Sequence, residues 1–492
     1  MKVVSIIAEY NPFHNGHAYQ IKEIKKRTGA DYVVIAMSGD FVQRGTPAII
    51  DKYARTKMAL SCGADLVLEL PVIWATASAE YFAMAGVTLF EKMGCVDMLC
   101  FGAETDNLPL LSVLAEILAE EPEGYRRLLS MYLKEGLAFP VARRKALCAY
   151  LATQEKCVPA SEKALSSYKK VLSAYKKVLS EDDCFDLEAV SSILNEPNNI
   201  LAIEYLKALK RRNSSIQPYL LKREGAAYHD TEFYQPANDN VSVSQVAGNN
   251  VGCDFYQSAD VNIGYDVSPT ASATGIRKQL ETHYKKLPAF SDDTTAWNAT
   301  AKTLCDAMPS RVLDILIEYL EKHCILLTND FSSVLGYKLL TTSPEELADI
   351  GDSNPDVSNR FYKNRMRFSS FVQFCELNKS KDVTYTRISR ILLHSILGIS
   401  NHDYLSGKEL DYLPYLRILG FKQDSTAILK TLKGTASVPV ISKLADARLL
   451  LDTAAITMLE KDIFAADLYE QIGAIKKRTT SRSEFTREIV RV

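Results

Sequence analysis

The chain has 492 residues, of which 47% are hydrophobic and 24% charged, and its formal net charge at pH 7 is -2. This length predicts two or more domains, and the composition is that of a soluble globular protein. The near-neutral charge excludes a general positive field as the means of binding nucleic acid, so such binding must use local basic clusters. Because no apolar run reaches membrane length and no secretion signal opens the sequence, we expect a cytoplasmic protein without a membrane partner.

The first predicted strand leads into a His-x-Gly-His motif. Val3–Ala8 is a short apolar run that predicts a buried strand of a parallel sheet. A turn containing Pro12 follows, and His14, Gly16 and His17 then open a pattern that favours a helix. A helix N-terminus offers free N–H groups and a positive dipole end to phosphate, and glycine lets the backbone approach closely. The spacing therefore predicts a phosphate site reached by both imidazoles; the alternative is two surface histidines beside a turn.

Strands and helices alternate through the first half of the chain. Four further buried strands are predicted, at Ala30–Met37, Ala64–Pro71, Asp97–Gly102 and Gln217–Arg223. Helices are predicted at Asp51–Cys62, Ala75–Lys92, Leu108–Tyr150 and Glu196–Arg212. This repetition predicts an α/β fold, a Rossmann-like doubly wound parallel sheet that binds its ligand at the carboxyl ends of the strands.

Three other groups of residues have spacing that suits binding. Asn198 and Asn199 follow a turn and are suited to capping a helix; the alternative is that they form a capping turn and have no binding role. Lys222 and Arg223 place two cations at the end of the fifth strand. The segment Ser272–Lys278 predicts a second helix start with hydroxyl caps, and its Arg277 is able to bind phosphate through two N–H groups.

Two segments predict no chemistry. Residues 161–180 contain a seven-residue near-repeat whose apolar positions form one helical stripe, which favours a solvated helix too short for a coiled coil. Residues 231–270 are polar and favour a surface insertion. The ten cysteines show no zinc-ligand spacing, so we predict no structural metal site.

The second half of the chain has the spacing of helices. These are predicted at Ser310–His323, Pro344–Ile350, Asn354–Arg365, Phe368–Leu377, Thr384–Leu397 and Ala445–Leu459. Basic residues cluster at 360–367, at 379–390 and in the tail from 476 onward, which suits contacts to a phosphate backbone. Each cluster alone also fits a solvated helix face. Tyr362 and Tyr385 are candidates for stacking on an unpaired base, although ordinary packing explains either one alone.

Several of these motifs occur together in one known family. They are Tyr10–His17, Met37–Gly45, Asp51–Tyr53, Phe101–Glu104, Pro197–Leu201, Lys222–Arg223 before Tyr228–Asp230, Ser272–Arg277 and Tyr385–His394. The His-x-Gly-His motif with the later Ile-Arg motif resembles the nucleotidylyltransferase superfamily. The whole set resembles the bacterial tRNA(Met) cytidine acetate ligase family along nearly the entire chain. The chain departs from the family in longer segments at 155–190 and 231–270 and in Ala273, where the superfamily often has serine.

The resemblance implies a two-step reaction. Acetate attacks the α-phosphate of ATP to give acetyl-adenylate and pyrophosphate, and the acetyl group then passes to N4 of the wobble cytidine, position 34, of elongator tRNA(Met). The resemblance thus implies ATP, together with Mg²⁺, as the co-substrate, and acetate and this tRNA as the other partners. It does not imply binding to DNA. The implied domains are an ATP-binding catalytic domain over 1–288 and a helical tRNA-binding domain over 289–492.

The resemblance also implies roles for residues. His14 and His17 would donate to phosphate oxygens as charge develops, while Arg277 and Arg223 hold the leaving pyrophosphate. Gly102 and Asn199 would approach the adenosine, and Asp40 or Glu104 are candidates for Mg²⁺, though a solvated or capping carboxylate is the plainer interpretation. The implied catalytic residues are His14, His17 and Arg277. The implied ATP-binding residues are Ile7, Ala8, Glu9, Tyr10, Asn11, Pro12, Phe13, His14, Asn15, Gly16, His17, Ala18, Tyr19, Gln20, Gly102, Asn198, Asn199 and Arg223.

Three alternatives share parts of this pattern. A small-molecule nucleotidyltransferase of the pantetheine-phosphate or nicotinate-mononucleotide type uses the same motif but needs no large basic helical region such as 290–492. A nucleotide-sensing scaffold has no need of the complete set His14, Gly16, His17, Thr274 and Arg277. A class I aminoacyl-tRNA synthetase is the third, and the sequence contains no Lys-Met-Ser-Lys-like loop.

Overall fold

The structure is a computed structural model that describes residues 1–156, 187–223, 272–286 and 303–492. The near-repeat at 161–180, the insertion at 231–270 and Tyr228–Asp230 lie outside the described residues, so the predictions made for them stay predictions. The strands are β1 Val3–Ala8, β2 Tyr32–Ser38, β3 Phe41–Val42, β4 Thr46–Pro47, β5 Leu66–Leu70, β6 Met98–Ala103, β7 Gln217–Lys222, β8 Leu416–Phe421, β9 Val440–Ile441 and β10 Val490–Arg491.

Helices account for most of the remaining described chain. They are α1 Asn15–Thr28, α2 Lys52–Ser61, α3 Val72–Ala75, α4 Ala79–Met93, α5 Leu108–Glu120, α6 Glu123–Lys134, α7 Phe139–Lys156, α8 Leu187–Ile193, α9 Pro197–Arg211, α10 Ala273–Lys286, α11 Ser310–Lys322, α12 Ser332–Thr341, α13 Pro344–Asp349, α14 Pro355–Asn364, α15 Phe371–Asn378, α16 Tyr385–Leu397, α17 Asn401–Glu409, α18 Thr426–Thr435, α19 Ala447–Leu450 and α20 Thr453–Lys477. Short 3-10 helices lie at Thr328–Phe331, Arg365–Arg367, Gln423–Ser425, Leu444–Asp446 and Glu484–Thr486. Among the described helices, none is both long and apolar enough to cross a membrane.

The main sheet contains all five predicted strands. Its order within the described chain is β10-β8-β5-β2-β1-β6-β7, with β9 paired to β8. Strands β5, β2, β1, β6 and β7 are mutually parallel, so their carboxyl ends meet at one edge, with β1 in the middle. The predicted parallel α/β sheet is confirmed, and it places the end of β1 at the centre of the ligand-binding edge.

Both faces of the sheet are covered, as the doubly wound prediction requires. Along β2, Val34 and Ala36 belong to one hydrophobic core, whereas Val33, Ile35 and Met37 belong to the other. Because successive side chains of a strand point to opposite faces, a strand that is apolar at every position has a core on each side. The continuous apolar runs in the sequence therefore report this burial directly.

The second half of the chain is mostly helical, as predicted, and it also adds three short strands that the sequence analysis did not predict. Strand β8 pairs antiparallel with β5, and β9 and β10 each pair parallel with β8. A six-residue strand carrying the charged Arg417 in its second position has neither the length nor the alternation that identifies a strand by pattern. The predicted helix at 445–459 is also divided, because Asp452 caps a new helix start by accepting a hydrogen bond from the backbone N–H of Ala455. The domain boundary at 288/289 stays a prediction.

Candidate active site

A cavity of about 390 Å³ lies at the carboxyl end of β1. Its walls come from the ends of β1, β6 and β7, from the starts of α1, α9 and α10, and from the loop between β3 and β4. The predicted site residues that line it are Ile7, Ala8, Glu9, Tyr10, Asn11, His14, Gly16, His17, Tyr19, Gln20, Gly102, Asn198, Arg223 and Arg277. Segments separated by more than 250 residues thus meet at the predicted edge of the sheet.

His14 and His17 hold each other in place at the start of α1. Nδ1 of His14 accepts a hydrogen bond from the backbone N–H of Gly16 at 3.1 Å, and Nδ1 of His17 accepts one from the backbone N–H of His14 at 3.2 Å. The two rings stack with their centroids 3.8 Å apart. Because each Nδ1 is an acceptor, the neutral ring carries its proton on Nε2, which leaves two Nε2–H donors for a ligand.

The surroundings keep both imidazoles neutral. Burial, aided by the positive charges of Arg223 and Arg277, lowers the pKa of His14 to about 3. Burial, with His14 and Arg223 nearby, also holds the pKa of His17 well below its ordinary value. At pH 7 both imidazoles therefore donate hydrogen bonds without carrying charge. A bound polyphosphate would stabilise positive charge that develops on either ring.

Arg277 is oriented by the loop that precedes α1. Its Nη1 donates to the backbone oxygen of Asn11 at 2.7 Å, and its Nη2 donates to Oγ1 of Thr274 at 3.0 Å. The hydroxyl of Ser272 caps α10 by accepting from the backbone N–H of Gly275 at 3.1 Å. The N-terminus of α10 therefore faces the same cavity as that of α1, and both present positive dipole ends to it.

Arg223 is positioned through a chain of polar contacts. The side chain of Glu104 accepts hydrogen bonds from Nδ2 of Asn198 at 2.6 Å and from the backbone N–H of Asn199 at 2.9 Å. Oδ1 of Asn198 then accepts from Nη1 of Arg223 at 3.3 Å. A Cβ atom on Gly102 would lie 3.2 Å from Cγ of Arg223, so glycine leaves room for the arginine stem. Glu104 and Asn198 are thus positioning residues for this guanidinium.

Five predicted ATP-binding residues do not line the cavity: Pro12, Phe13, Asn15, Ala18 and Asn199. Phe13 is fully buried in the core, and Nδ2 of Asn15 donates to the backbone oxygen of Asp306. The side chain of Asn199 is occupied, because Oδ1 accepts from the backbone N–H groups of Glu104 and Thr105 and Nδ2 donates to the oxygen of Ile193. Asn199 therefore shapes the loop after β6 and does not reach the cavity itself.

The candidate magnesium ligands do not fit that role. Oδ1 of Asp40 accepts from the backbone N–H of Lys52 at 2.7 Å, and burial raises the pKa of Asp40 to about 7. Both oxygens of Glu104 are taken by the two asparagines at the start of α9. Neither carboxylate lines the cavity, and no group of three or more His, Cys, Asp or Glu suited to a metal occurs in the described part of the chain. Magnesium prefers several free oxygen ligands, which these residues do not offer.

Gln43 and Arg44 line the cavity from the β3–β4 loop but were not among the predicted site residues. The loop is fixed from the second half of the chain: Oγ of Ser389 donates to the oxygen of Gly45 at 2.8 Å, and a Cβ on Gly45 would lie 2.4 Å from the backbone nitrogen of Arg390. The available signal was the loop's place after the second strand. The apolar lining residues, which include Phe82 on α4 and Tyr205 on α9, had the pattern of ordinary core.

Comparison with known proteins identifies the family. The family model described as HIGH Nucleotidyl Transferase matches residues 1–246 and 257–484. The tRNA(Met) cytidine acetate ligases of Acetivibrio thermocellus and Caldanaerobacter subterraneus are 33% and 34% identical to the chain, with 100% of both chains covered. The crystal structure of Thermotoga maritima TmcAL in an apo form is similar with a TM-score of 0.80 at 25% identity, and the same protein bound with alpha-thio ATP gives 0.77, also at 25% identity; each covers 100% of both chains. The chain belongs to the tRNA(Met) cytidine acetate ligase family of enzymes, within the HIGH nucleotidyl transferases.

Proposed function

We propose that this chain activates acetate with ATP and transfers the acetyl group to N4 of the wobble cytidine of elongator tRNA(Met). The observation that carries the proposal is one cavity in which two neutral Nε2–H donors, Arg223, Arg277 and two helix N-termini converge. The similarity to ligases over the entire chain supports the same reaction. We infer the cytoplasm as its location, where ATP and tRNA are both present.

In the first step, a carboxylate oxygen of acetate attacks the α-phosphorus of ATP and pyrophosphate leaves. Negative charge grows on the α- and β-phosphate oxygens, and catalysis of such a transfer consists of positioning and charge stabilisation. His14 and His17 donate to these oxygens through Nε2–H, while Arg223 and Arg277 neutralise the leaving pyrophosphate. The binding of ATP is supported by the ATP-analogue complex of the similar Thermotoga maritima protein.

We propose that the second half of the chain binds the tRNA through one of the predicted basic clusters, at 360–367, and not through Arg387, Arg390 and Tyr385. The guanidinium of Arg390 holds the carboxylate of Asp352, and Arg387 donates to the backbone oxygen of Asp352. Arg390 is only 9% exposed, and burial raises the pKa of the half-buried Tyr385. These residues therefore stabilise the packing of α16.

The segment Arg360–Arg367, at the end of α14, is better suited to RNA. It contains four cations and no carboxylate. The guanidinium of Arg365 lies 3.5 Å from the centroid of the Tyr362 ring, and Tyr362 and Met366 are exposed. An aromatic ring covered by a guanidinium beside the exposed Lys363 and Arg367 provides stacking and phosphate contacts, which is how proteins bind unpaired nucleotides.

Acetate-dependent exchange of labelled pyrophosphate into ATP tests the first step. We expect exchange with acetate in the absence of tRNA, and no exchange without acetate. If ATP is consumed only with a phosphorylated small-molecule acceptor, the chain is a small-molecule nucleotidyltransferase and the proposal is wrong.

A further inference from the structure

One lining residue of the cavity, Glu9, is among the implied ATP-binding residues, yet its negative charge does not suit the phosphates of the first step. Glu9 is the only carboxylate among the described residues that line the cavity, where Arg44, Lys222, Arg223 and Arg277 supply positive charge. ATP and acetate are both anions, and a neighbouring carboxylate repels them most strongly where water is scarce. Glu9 is therefore suited to an uncharged substrate that donates hydrogen bonds.

The position of Glu9 differs from that of the residues proposed to bind phosphate. Arg223, Gly102 and Asn198 line the cavity from β6, β7 and α9, on one side of β1. Glu9 lies on the other side, toward β2, because its Oε1 accepts a hydrogen bond from the backbone N–H of Gln43 at 2.8 Å. The topology thus places Arg223 on one side of the cavity and Glu9, with Gln43 and Arg44, on the other.

The free oxygen of Glu9 is available to a ligand. Among the described residues, no hydrogen bond reaches Oε2 of Glu9, and the residue is half-buried. Glu9 lines the cavity together with Gln43 and Tyr205; burial raises the pKa of Tyr205, and the charge of Glu9 adds to that rise. Glu9 thus lines the cavity with an acceptor atom, Oε2, that has no hydrogen-bond partner within the described part of the chain.

The loop that holds Glu9 also joins the cavity to the second half of the chain. Gly45 follows Gln43 and Arg44 directly and packs against α16 through Ser389 and Arg390. Arg44 is exposed at the cavity wall. An RNA strand held by the second half of the chain would enter the cavity on this side, with Arg44 next to its backbone.

We propose that Glu9 and Gln43 form the subsite for the acceptor base, with Glu9 accepting a hydrogen bond from the exocyclic amine of cytosine and then taking its proton. The inference rests on the proposed function. A carboxylate is a natural acceptor for the N4 amine, whereas the O4 atom of uracil would place two acceptors face to face. The same contact thus distinguishes the two pyrimidines.

The chemical step balances without another reactant. The N4 nitrogen forms a bond to the carbonyl carbon of acetyl-adenylate, and the bond from that carbon to the phosphate oxygen breaks, with its electron pair leaving on AMP. One N4 proton passes to Oε2 of Glu9. General-base assistance of this type typically accelerates a step by about 10²- to 10⁴-fold.

Glu9→Gln tests the proposal because glutamine keeps an oxygen for the N–H of Gln43 and loses the base. The wild type and the variant are each loaded with labelled acetyl-adenylate, and single-turnover transfer of the acetyl group to tRNA is measured. Acetate-dependent pyrophosphate exchange is measured separately for both enzymes. We expect transfer to fall by about 100-fold or more, with exchange changed by about 3-fold or less and the KM for ATP equal to or below that of the wild type. Glu116→Gln, at a half-buried glutamate of α5 paired with Lys210, is the control and should leave both steps unchanged.

Two results would overturn the inference: undiminished transfer in Glu9→Gln, or equal losses in exchange and transfer in a variant that melts like the wild type. If Glu9→Gln unfolds early, Glu9→Asp retains a carboxylate and must keep more transfer activity than Glu9→Ala. A wild-type enzyme with no acetate-dependent exchange would instead refute the proposed function, and this outcome is visible before any variant is made.

Discussion

At the scale of single residues, the histidine pair shows how one contact serves two purposes. The backbone N–H groups that bind Nδ1 of His14 and His17 complete the cap of α1 and also fix the tautomer that leaves Nε2–H for a ligand. The motif predicts two imidazoles near one phosphate. It does not predict that they are neutral, because their low pKa values depend on burial and on Arg223 and Arg277, which lie far along the chain.

His17→Ala should lower acetate-dependent pyrophosphate exchange by about 100- to 1000-fold, the usual cost of losing one donor to developing charge. The dissociation constant for tRNA should stay within about 2-fold, because His17 lies in the cavity and not on the exposed basic segment. Binding is measured by fluorescence anisotropy with labelled tRNA.

His17→Asn provides the matched control. Its Oδ1 is able to accept from the N–H of His14 as Nδ1 does, yet it has no donor at the Nε2 position. We expect thermal stability close to the wild type and the same loss of exchange as in His17→Ala. Normal exchange in either variant would exclude His17 from the first step.

At the scale of elements, the five parallel strands and most helices were predictable because each has a continuous apolar run or a clear helical stripe. The β3–β4 loop was predictable only as a loop at the correct edge. Its shape depends on Gly45, whose φ is +75°, and on packing against α16, more than 340 residues away in the chain. A contact between residues so far apart produces no local sequence pattern, so Gln43 and Arg44 were not predicted to line the cavity.

Gly45→Ala should lower the free energy of unfolding by about 1–3 kcal/mol, because alanine disfavours this φ and its Cβ would meet the backbone of Arg390. Acetyl transfer should fall more than pyrophosphate exchange, since the loop holds Glu9 rather than the phosphate-binding groups. Urea unfolding and the two half-reactions measure these effects.

Gly434→Ala is the comparison for that variant. Gly434 lies in α18 with no atom within 4 Å of an added Cβ, so alanine should raise the free energy of unfolding by up to about 1 kcal/mol through helix propensity. Equal effects of the two substitutions would contradict the packing that we assign to Gly45.

The segment Arg360–Arg367 supports a prediction about RNA binding. Arg365→Glu with Arg367→Glu should raise the dissociation constant for tRNA by about 10-fold or more. It should also reduce the slope of log binding constant against log salt concentration by the amount expected for about two phosphate contacts. Exchange without tRNA should not change. Lys430→Glu with Lys433→Glu, at exposed lysines of α18, makes the same change in net charge and should weaken binding much less. Equal weakening by both pairs would indicate a general field instead of a local surface.

At the scale of the whole molecule, the two halves of the chain share one sheet and one buried ion cluster. Nζ of Lys52 lies 2.7 Å from Glu69 and 2.6 Å from Glu484, and the guanidinium of Arg417 contacts the same two carboxylates. Lys52 and Glu69 come from α2 and β5, whereas Arg417 and Glu484 come from the last 80 residues. The sequence did not predict this junction, because isolated charges in a linear pattern are indistinguishable from surface charges.

Glu484→Gln should lower the free energy of unfolding at pH 7 by about 3 kcal/mol, because it leaves two buried cations facing one carboxylate. Burial alone would raise the pKa of Glu484, but Lys52 and Arg417 lower it to about 2. A depressed pKa stabilises the folded state above the unfolded value of about 4.5, and this stabilisation is lost as the pH falls toward 2. The difference between wild type and variant should therefore shrink from pH 7 to pH 3 in urea titrations; a constant difference would show that Glu484 acts through packing alone.

We propose that the cavity at the end of β1 acetylates a tRNA base with acetate and ATP. The most direct measurement is incubation of the enzyme with labelled acetate, ATP and elongator tRNA(Met), followed by nucleoside mass spectrometry of the anticodon fragment. We predict N4-acetylcytidine at position 34, with one AMP and one pyrophosphate formed for each acetyl group transferred. ATP consumption that does not depend on acetate, or unmodified cytidine at position 34 in tRNA that binds the enzyme, would contradict the account.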